Sequence, residues 1–408
     1  MRVTTALQVI AVVVFSFAAA AQPLIGPEIT SDPIATFDGD LQVALAKGRT
    51  SIAVAWTAVD GQYSRIFVAR VDGRFQVIGS VQQLPVASPT NQAGFPSIAA
   101  DPTGDGFTIA WVEWAVSPFT FADLNVARID SNGTVGRPDR LWSGPAGPTK
   151  LRADQSDMWL TTGSFLFHIR AGDAPIRLAR PAGDLVVLDQ RPRIVSTGSQ
   201  LLNTTCTICD DGRSCGPGFC VCPCTISQFR SLLEVLSLYE SDLSVTLRMV
   251  TSPTEGFDPP TPANLVSSSP PAIATDGRSL LLAWPNQQGQ LAIASVGVPV
   301  NAAMLSTAVT NPMILGDMAV RSGPSVASDG DRYVVVWELQ NDIVGAVIGS
   351  DGSVTHFTVA TSSAGERSPT VVAAGPGTFL VAYEKAGAAD RRIALRTLSF
   401  GMRHRATR

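Results

Sequence analysis

Residues 323–337 read G-P-S-V-A-S-D-G-D-R-Y-V-V-V-W. A short apolar run meets an Asp-Gly turn, a β-branched run follows, and a tryptophan closes it. Asp-Gly supplies the positive φ angles of a tight hairpin, and Val-rich runs between such turns favour strands. The stretch therefore predicts two antiparallel strands.

The same pattern recurs along the chain. Ala272-Ile273-Ala274-Thr275-Asp276-Gly277 leads to Trp284, and Pro96-Ser97-Ile98-Ala99-Ala100-Asp101 leads through a longer turn to Phe107 and Trp111. Leu45 to Trp56 and Pro369 to Tyr383 are further copies, the last turning at Gly375-Pro376-Gly377. Leu151 to Thr162 is degenerate, and a weak fourth unit is placed at Ile194 to Thr205, with Leu201 and Leu202 in its strand. The units recur every ~50 residues, with one longer gap before Trp284, which marks a propeller or array.

After the aromatic, each unit continues with a variable loop, a third strand, a tight turn and a fourth strand. Asp72-Gly73, Asn132-Gly133 and Asp351-Gly352 mark those later turns. Four antiparallel strands per unit make one propeller blade. The fold class is thus all-β, a β-propeller of seven four-stranded blades, with six or eight as alternatives. Small residues such as Ala99, Ala274 and Ala327 suit the crowded innermost strand, and the closing Trp or Tyr is expected to pack against a neighbouring blade. The seventh unit lacks a fourth strand, so Leu24 to Thr30 is expected to supply it and cover an open edge.

The repeat P-S-[IV]-A-x-D-G-x-x-[apolar]-V-[AV]-W resembles that of uncharacterised secreted bacterial β-propeller repeat proteins. The resemblance covers units one, two, five, six and seven. It implies fold and export and brings no activity with it.

The N-terminus reads as an export signal. Arg2 precedes an apolar stretch, Ala6 to Ala18, and Ala19-Ala20-Ala21 offers small residues for cleavage before Gln22. The expected organisation is a signal peptide at 1–21, one propeller domain at 22–400 and a basic tail at 401–408. The mature chain is expected outside the cell or in the periplasm, as a monomer, with no membrane span left after cleavage. The net charge of -4 over 408 residues gives nothing to attract nucleic acid.

All six cysteines, Cys206, Cys209, Cys215, Cys220, Cys222 and Cys224, fall in an insertion placed at 206–241. In an exported chain an even count reads first as three disulfides, with fifteen possible pairings. A thiolate metal site and a redox-active pair are the alternatives. Phe229, Leu232, Leu233 and Leu236 have helical spacing, which predicts a short helix within Ile226 to Glu240. The blade is expected to resume at Asp242-Leu243, which echoes Asp123-Leu124.

Unit two also has a long connection after its second strand, carrying Trp114, Phe119 and Phe121. These three aromatics are the candidate binding residues, on the same face as the cysteine-rich segment. Arginines recur in the expected third strands at Arg70, Arg128, Arg248 and Arg396, and carboxylates follow second strands at Glu113, Glu338 and Glu384. They read as ion pairs within each blade, or alternatively as an anion site near the axis.

No catalytic residue is nominated. His168, His356 and His404 lie far apart in the chain, and no residue set calls for a metal or another cofactor. The Asp-box of sialidases, the WD40 pairings and the kelch double glycine are not met. Two functions remain. One is a non-enzymatic binding or scaffold propeller that presents a disulfide-capped face to a protein or glycan. The other is an extracellular polysaccharide hydrolase or lyase with its site at the axial opening.

Overall fold

The computed structural model describes residues 22–401 except 31–41, 116–120, 204–226, 239–244, 252–270, 299–303, 305–311, 319–322 and shorter stretches in turns. Two short strands come first, β1 (Leu24–Ile25) and β2 (Ile29–Thr30). Seven antiparallel sheets account for the described strands. The first is β3 (Val43–Lys47), β4 (Ile52–Asp60), β5 (Tyr63–Val71) and β6 (Val77–Gln83). The second is β7 (Gln92–Ala100), β8 (Phe107–Trp114), β9 (Ala122–Ile129) and β10 (Asp139–Gly144). The third is β11 (Thr149–Asp154), β12 (Asp157–Thr162), β13 (Phe165–Arg170) and β14 (Ile176–Ala179).

The fourth sheet is β15 (Asp184–Leu188), β16 (Arg191–Asn203), β17 (Ser227–Leu238) and β18 (Val245–Thr251). The fifth is β19 (Ala272–Thr275), β20 (Ser279–Pro285), β21 (Gln290–Gly297) and β22 (Met313–Asp317). The sixth is β23 (Ser325–Ser328), β24 (Arg332–Leu339), β25 (Asp342–Gly349) and β26 (Val354–Ala360). The seventh is β27 (Gly365–Gly375), β28 (Thr378–Ala386) and β29 (Arg391–Ser399), completed by β1 and β2 on the outer side of β29. Each first strand lies beside the first strand of the next sheet, and β27 lies beside β3, so the sheets close into a propeller ring.

The closing aromatic is the joint between blades. Trp111 packs with Ala53 and Ala55 of the first blade, and Trp284 with Val186, Leu188 and Val195 of the fourth. Trp337 packs with Leu281 and Ala283 of the fifth, and Tyr383 with Val334 and Val336 of the sixth. Trp56 meets Leu380 and Ala382 of the seventh blade, across the point where the ring closes. Burying an aromatic side chain of 150–250 Å² removes apolar surface worth roughly 4–6 kcal/mol before entropy is counted. The turns do their local part: Gly277 and Gly330 have φ of 84° and 91°, which the Asp-Gly hairpins require.

Two expectations for the fourth blade are corrected. Its innermost strand is β15, so Ile194 to Thr205 is not a complete first-to-second hairpin; residues 191–203 form one long second strand. The predicted helix at Ile226 to Glu240 is instead β17, paired with β16 from Asn203↔Ser227 to Arg193↔Ser237. Apolar residues at neighbouring positions fit a helical stripe and a strand equally well, and the long backbone pairing with β16 decides for the strand. Asp242-Leu243, where the blade is expected to resume, lies outside the described residues; the third strand is Ser227–Leu238, and Arg248 lies on the fourth. The segment joining second and third strands is 204–226. All six cysteines fall within it, outside the described residues.

The seventh blade is latched by the N-terminal stretch. Leu24 and Ile25 pair with Ser399 and Leu398, and Ile29 and Thr30 pair with Leu395 and Ala394. Gly26 donates its N–H to Thr397 O at 2.8 Å, and a Cβ there would lie 2.0 Å from Thr397 Oγ1, so no side chain fits. Glu28 accepts from Tyr383 Oη at 2.6 Å, Lys385 Nζ at 2.5 Å and an Arg396 guanidinium nitrogen at 3.3 Å. Burial pushes the Glu28 carboxyl up, but the hydrogen bonds from Lys385 and Tyr383 and the nearby positive charge outweigh it and hold the group below its ordinary value. Burial, and donation to the Glu28 carboxylate, push the Tyr383 hydroxyl well above its own.

Two outcomes test this frame. Trp284→Ala should lower the unfolding free energy by about 3–5 kcal/mol and Trp284→Phe by much less, read from denaturant midpoints. Because the folded-state pKa of Glu28 is depressed, its stabilisation is present above the unfolded carboxylate pKa and is lost as pH falls through the folded value. Glu28→Gln should therefore destabilise the protein at pH 7, and its gap from the parent should close on acidification below ~4 in thermal melts. A gap that does not change with pH would contradict the latch.

Candidate functional site at the axis and the loop-bearing face

Antiparallel strands alternate direction, so the second-to-third connections and the starts of the innermost strands share one face of the ring. That face carries both long connections, the one after β8 and the 204–226 segment after β16. At the centre, the seven innermost strands line a cavity of about 460 Å³. Each innermost strand pairs on one side only. Its other edge, with free N–H and C=O groups, faces the axis.

Side chains brace that edge. In each blade, one innermost residue sits in register with the residue before the closing aromatic position. These are Ala44, Ser97, Lys150, Asp184, Ala272, Ser325 and Thr370. Ser97 Oγ accepts the N–H of Leu151 in the next blade at 2.7 Å, and Ser325 Oγ accepts that of Val371 at 3.1 Å. Asp184 Oδ2 accepts from Ile273 N–H at 3.1 Å. The serine of the P-S motif is thus a cross-blade acceptor for an otherwise stranded amide.

Ala44, Lys150 and Ala272 cannot brace in this way, and Lys150 alone of these three puts a charge there, because an ammonium donates but cannot accept a hydrogen bond. The Leu185 N–H that it would have served is taken by Asp184 Oδ1 at 3.0 Å. Two residues further on, where other blades have Ala46, Ala99, Ala274 and Ala327, the third blade has Arg152. Arg152 pairs with Asp184 at 3.1 Å. Asp154 matches Asp101, Asp276 and Asp329 of the repeat, and so keeps the place of the turn aspartate. Cationic departures from the small-residue rule thus gather at the joint of the third and fourth blades.

A cluster of aromatics lies beside this sector on the same face. Trp114 is the last residue of β8 and is half-buried against Phe95, with ring centroids 5.9 Å apart. Trp142 and Phe165 meet at 4.7 Å, and the exposed Arg177 places its guanidinium 5.3 Å above Phe165 and 5.9 Å from the centre of Trp142. Phe121 is 71% exposed. Phe95 has φ of 56° immediately before Pro96, and Ser368 has φ of 50° before Pro369 at the matching place in the seventh blade. Each sits at a bulge, so the strain belongs to the repeat.

Of the three aromatics singled out from sequence, Trp114 and Phe121 lie at this face, and Phe119 lies outside the described residues. The structure adds Trp142, Phe165 and Arg177 to them, and Lys150, Arg152 and Asp184 at the axis. Lys150 and Arg152 were visible as charged residues where the repeat asks for Ser and Ala. Asp184 was missed because the fourth unit was started too late.

In the second blade the recurring arginine and glutamate do not pair with each other, whereas in the seventh Glu384 pairs with Arg391 and Arg396 with Glu28; Arg70, Arg128, Arg396 and the three glutamates do not line the axial cavity. In the second blade Glu113 faces Asp123 while Arg128 faces Thr108, five residues along the strand or roughly 16 Å away. Glu113 accepts from Ala87 N–H and Asn91 Nδ2, both at 2.7 Å, in the connection from the preceding blade. Arg70 donates to Ser51 Oγ and to the Ser131 carbonyl of the second blade, and Arg128 is exposed. These groups tie turns and connections.

The histidines stay away from the axial cavity where they are described. His168 is fully buried, stacked on Trp159 at 3.8 Å, with Nε2 2.9 Å from Asp157 Oδ2. His356 meets the Trp337 ring edge-on, and His404 lies outside the described residues. Among the described residues, no group of three or more His, Cys, Asp or Glu side chains is arranged to hold a metal ion.

Ser97→Ala should strand the Leu151 amide and cost ~1–3 kcal/mol in denaturant unfolding, whereas Ser88→Ala on an exposed turn should cost little. Equal effects would show that the bracing bond contributes nothing.

No protein-family model matches the chain, and no curated protein matches it by sequence. Among solved structures, it is similar to the Dos1 propeller, at 10% identity, covering 94% of this chain and 95% of that one with a TM-score of 0.47. The polysaccharide lyase Uly1 gives 9% identity, 88% and 90% coverage and a TM-score of 0.48. A protein of unknown function from Dyadobacter fermentans gives 10% identity, 92% and 99% coverage and a TM-score of 0.45. The neighbours are β-propeller proteins and include both enzymes and non-enzymatic propellers, and the likeness extends to the fold alone.

Proposed function

We propose that this chain is an exported, non-enzymatic binding propeller, which presents the face bearing residues 115–121 and 204–226 to a protein or glycan. The observation that carries the reading is Phe121, 71% exposed on the face that also holds Trp114 and the Trp142–Phe165–Arg177 stack. Exposed aromatic rings beside a central depression offer flat, rigid contact area to a partner. The export signal before Gln22 and the six cysteines suit a disulfide-capped face outside the cytoplasm.

The hydrolase or lyase reading is less well supported. Such chemistry needs free acid and base groups at the axial opening. Asp184 is instead committed to Arg152, the Leu185 N–H and the Ile273 N–H. Asp154 holds the place of a turn aspartate.

A protein and glycan array probed with the mature chain should reveal capture that Phe121→Ala weakens and deletion of residues 206–224 abolishes, with thermal midpoints unchanged. Capture fully retained by both variants would overturn the proposal.

A further inference from the structure

The axial cavity has a charge imbalance that the scaffold does not explain. Arg152 and Asp184 neutralise one another, and Asp184 is also held by two backbone amides. Lys150 has no hydrogen bond or ion pair among the described residues, yet it is partly buried and lines the cavity. It stands where Ser97, Asp184 and Ser325 extend their side chains toward the next innermost strand. It therefore lies at the axis, toward the face that carries the long connections. Asp154 is four residues further along the strand, ~13 Å at strand rise, too far to neutralise it. Lys47 is at the other end of its strand, and its ammonium donates to Arg49 O at 3.4 Å.

A partly desolvated, unpaired ammonium is costly for a scaffold and is the usual means of holding an anion. The walls supply the rest of the recognition chemistry. Seven strand edges present backbone N–H and C=O groups to the cavity, and hydroxyl groups satisfy both kinds. At about 460 Å³ the cavity falls in the range of small-molecule sites, roughly 300–1,000 Å³. From these features we infer that the axial cavity binds a small polyhydroxylated carboxylate, a sugar acid, with the Lys150 ammonium holding the carboxylate and the innermost strand edges holding the hydroxyls. The site is distinct from the aromatic face and does not rest on the reading given above.

Isothermal titration calorimetry with glucuronate at fixed ionic strength tests it, with glucose and inorganic phosphate as comparison probes. The parent protein should bind glucuronate saturably and glucose not at all. Lys150→Ala should weaken binding about tenfold or more, as expected for a lost charged hydrogen bond, and Lys150→Arg should restore most of it. Phe121→Ala should leave glucuronate affinity unchanged, which separates this site from the aromatic face. Lys150 braces nothing, so Lys150→Ala should melt with the parent; Lys150→Gln serves the same purpose if it does not. No binding of glucuronate, equal binding by Lys150→Ala, or equal binding of glucose would each overturn the inference. Phosphate bound as tightly as glucuronate would overturn the assignment to a sugar acid.

Discussion

The molecule depends on one repeated contact, the closing aromatic of five of the seven units pressed against the sheet before it. A single four-stranded sheet has two apolar faces and cannot bury either alone. Trp56, Trp111, Trp284, Trp337 and Tyr383 turn that liability into mutual burial between neighbouring sheets. The polar parts are arranged around this contact. The P-S serine completes the hydrogen bonding of the next innermost strand, and Tyr333 donates to Ser279 O at 2.8 Å, tying the turn of one blade to the second strand of the next. In the turn of the sixth blade, Asp329 Oδ2 accepts from Gly377 N–H in the turn of the seventh, also at 2.8 Å. Such ties fix the angle between blades, which non-directional aromatic burial leaves loose.

Much of the fold was legible because its signals are local. An Asp-Gly pair, a β-branched run and a closing tryptophan each act within a few residues, and their recurrence identified the propeller. What sequence could not convey was register. Whether Glu113 meets Arg128 depends on where along a strand each falls, and pairing places them at opposite ends of a blade. The fourth blade was misread for a related reason. Its innermost strand, Asp184–Leu188, has neither the proline nor the small residues of its counterparts, and the apolar run in β17 fits two periodicities.

The candidate site was half legible. The aromatics of unit two stood out as an exception in loop length. Lys150 and Arg152 are an exception of another kind, the right length with the wrong chemistry. Their meaning emerges only when the register shows that Lys150 puts a charge where the other blades have Ala, Ser, Thr or an Asp that braces the next strand. In a repeat protein the scaffold defines what each position must do, so a charge that the scaffold does not use is a sign of a second role.

The strand pairing of residues 24–30 with β29 also bears on how the chain reaches its folded state. Glu28 is 355 residues from Tyr383, so the contact that seals the ring joins nearly the two ends of the chain. Loop closure over such a distance is slow, and the last blade cannot be completed until its C-terminal strand is available. Until then β29 has a free edge, open to pairing with other chains. The covering of that edge thus comes last, and only the arrival of both the first and the last described strands at one sheet turns an open arc into a sealed ring.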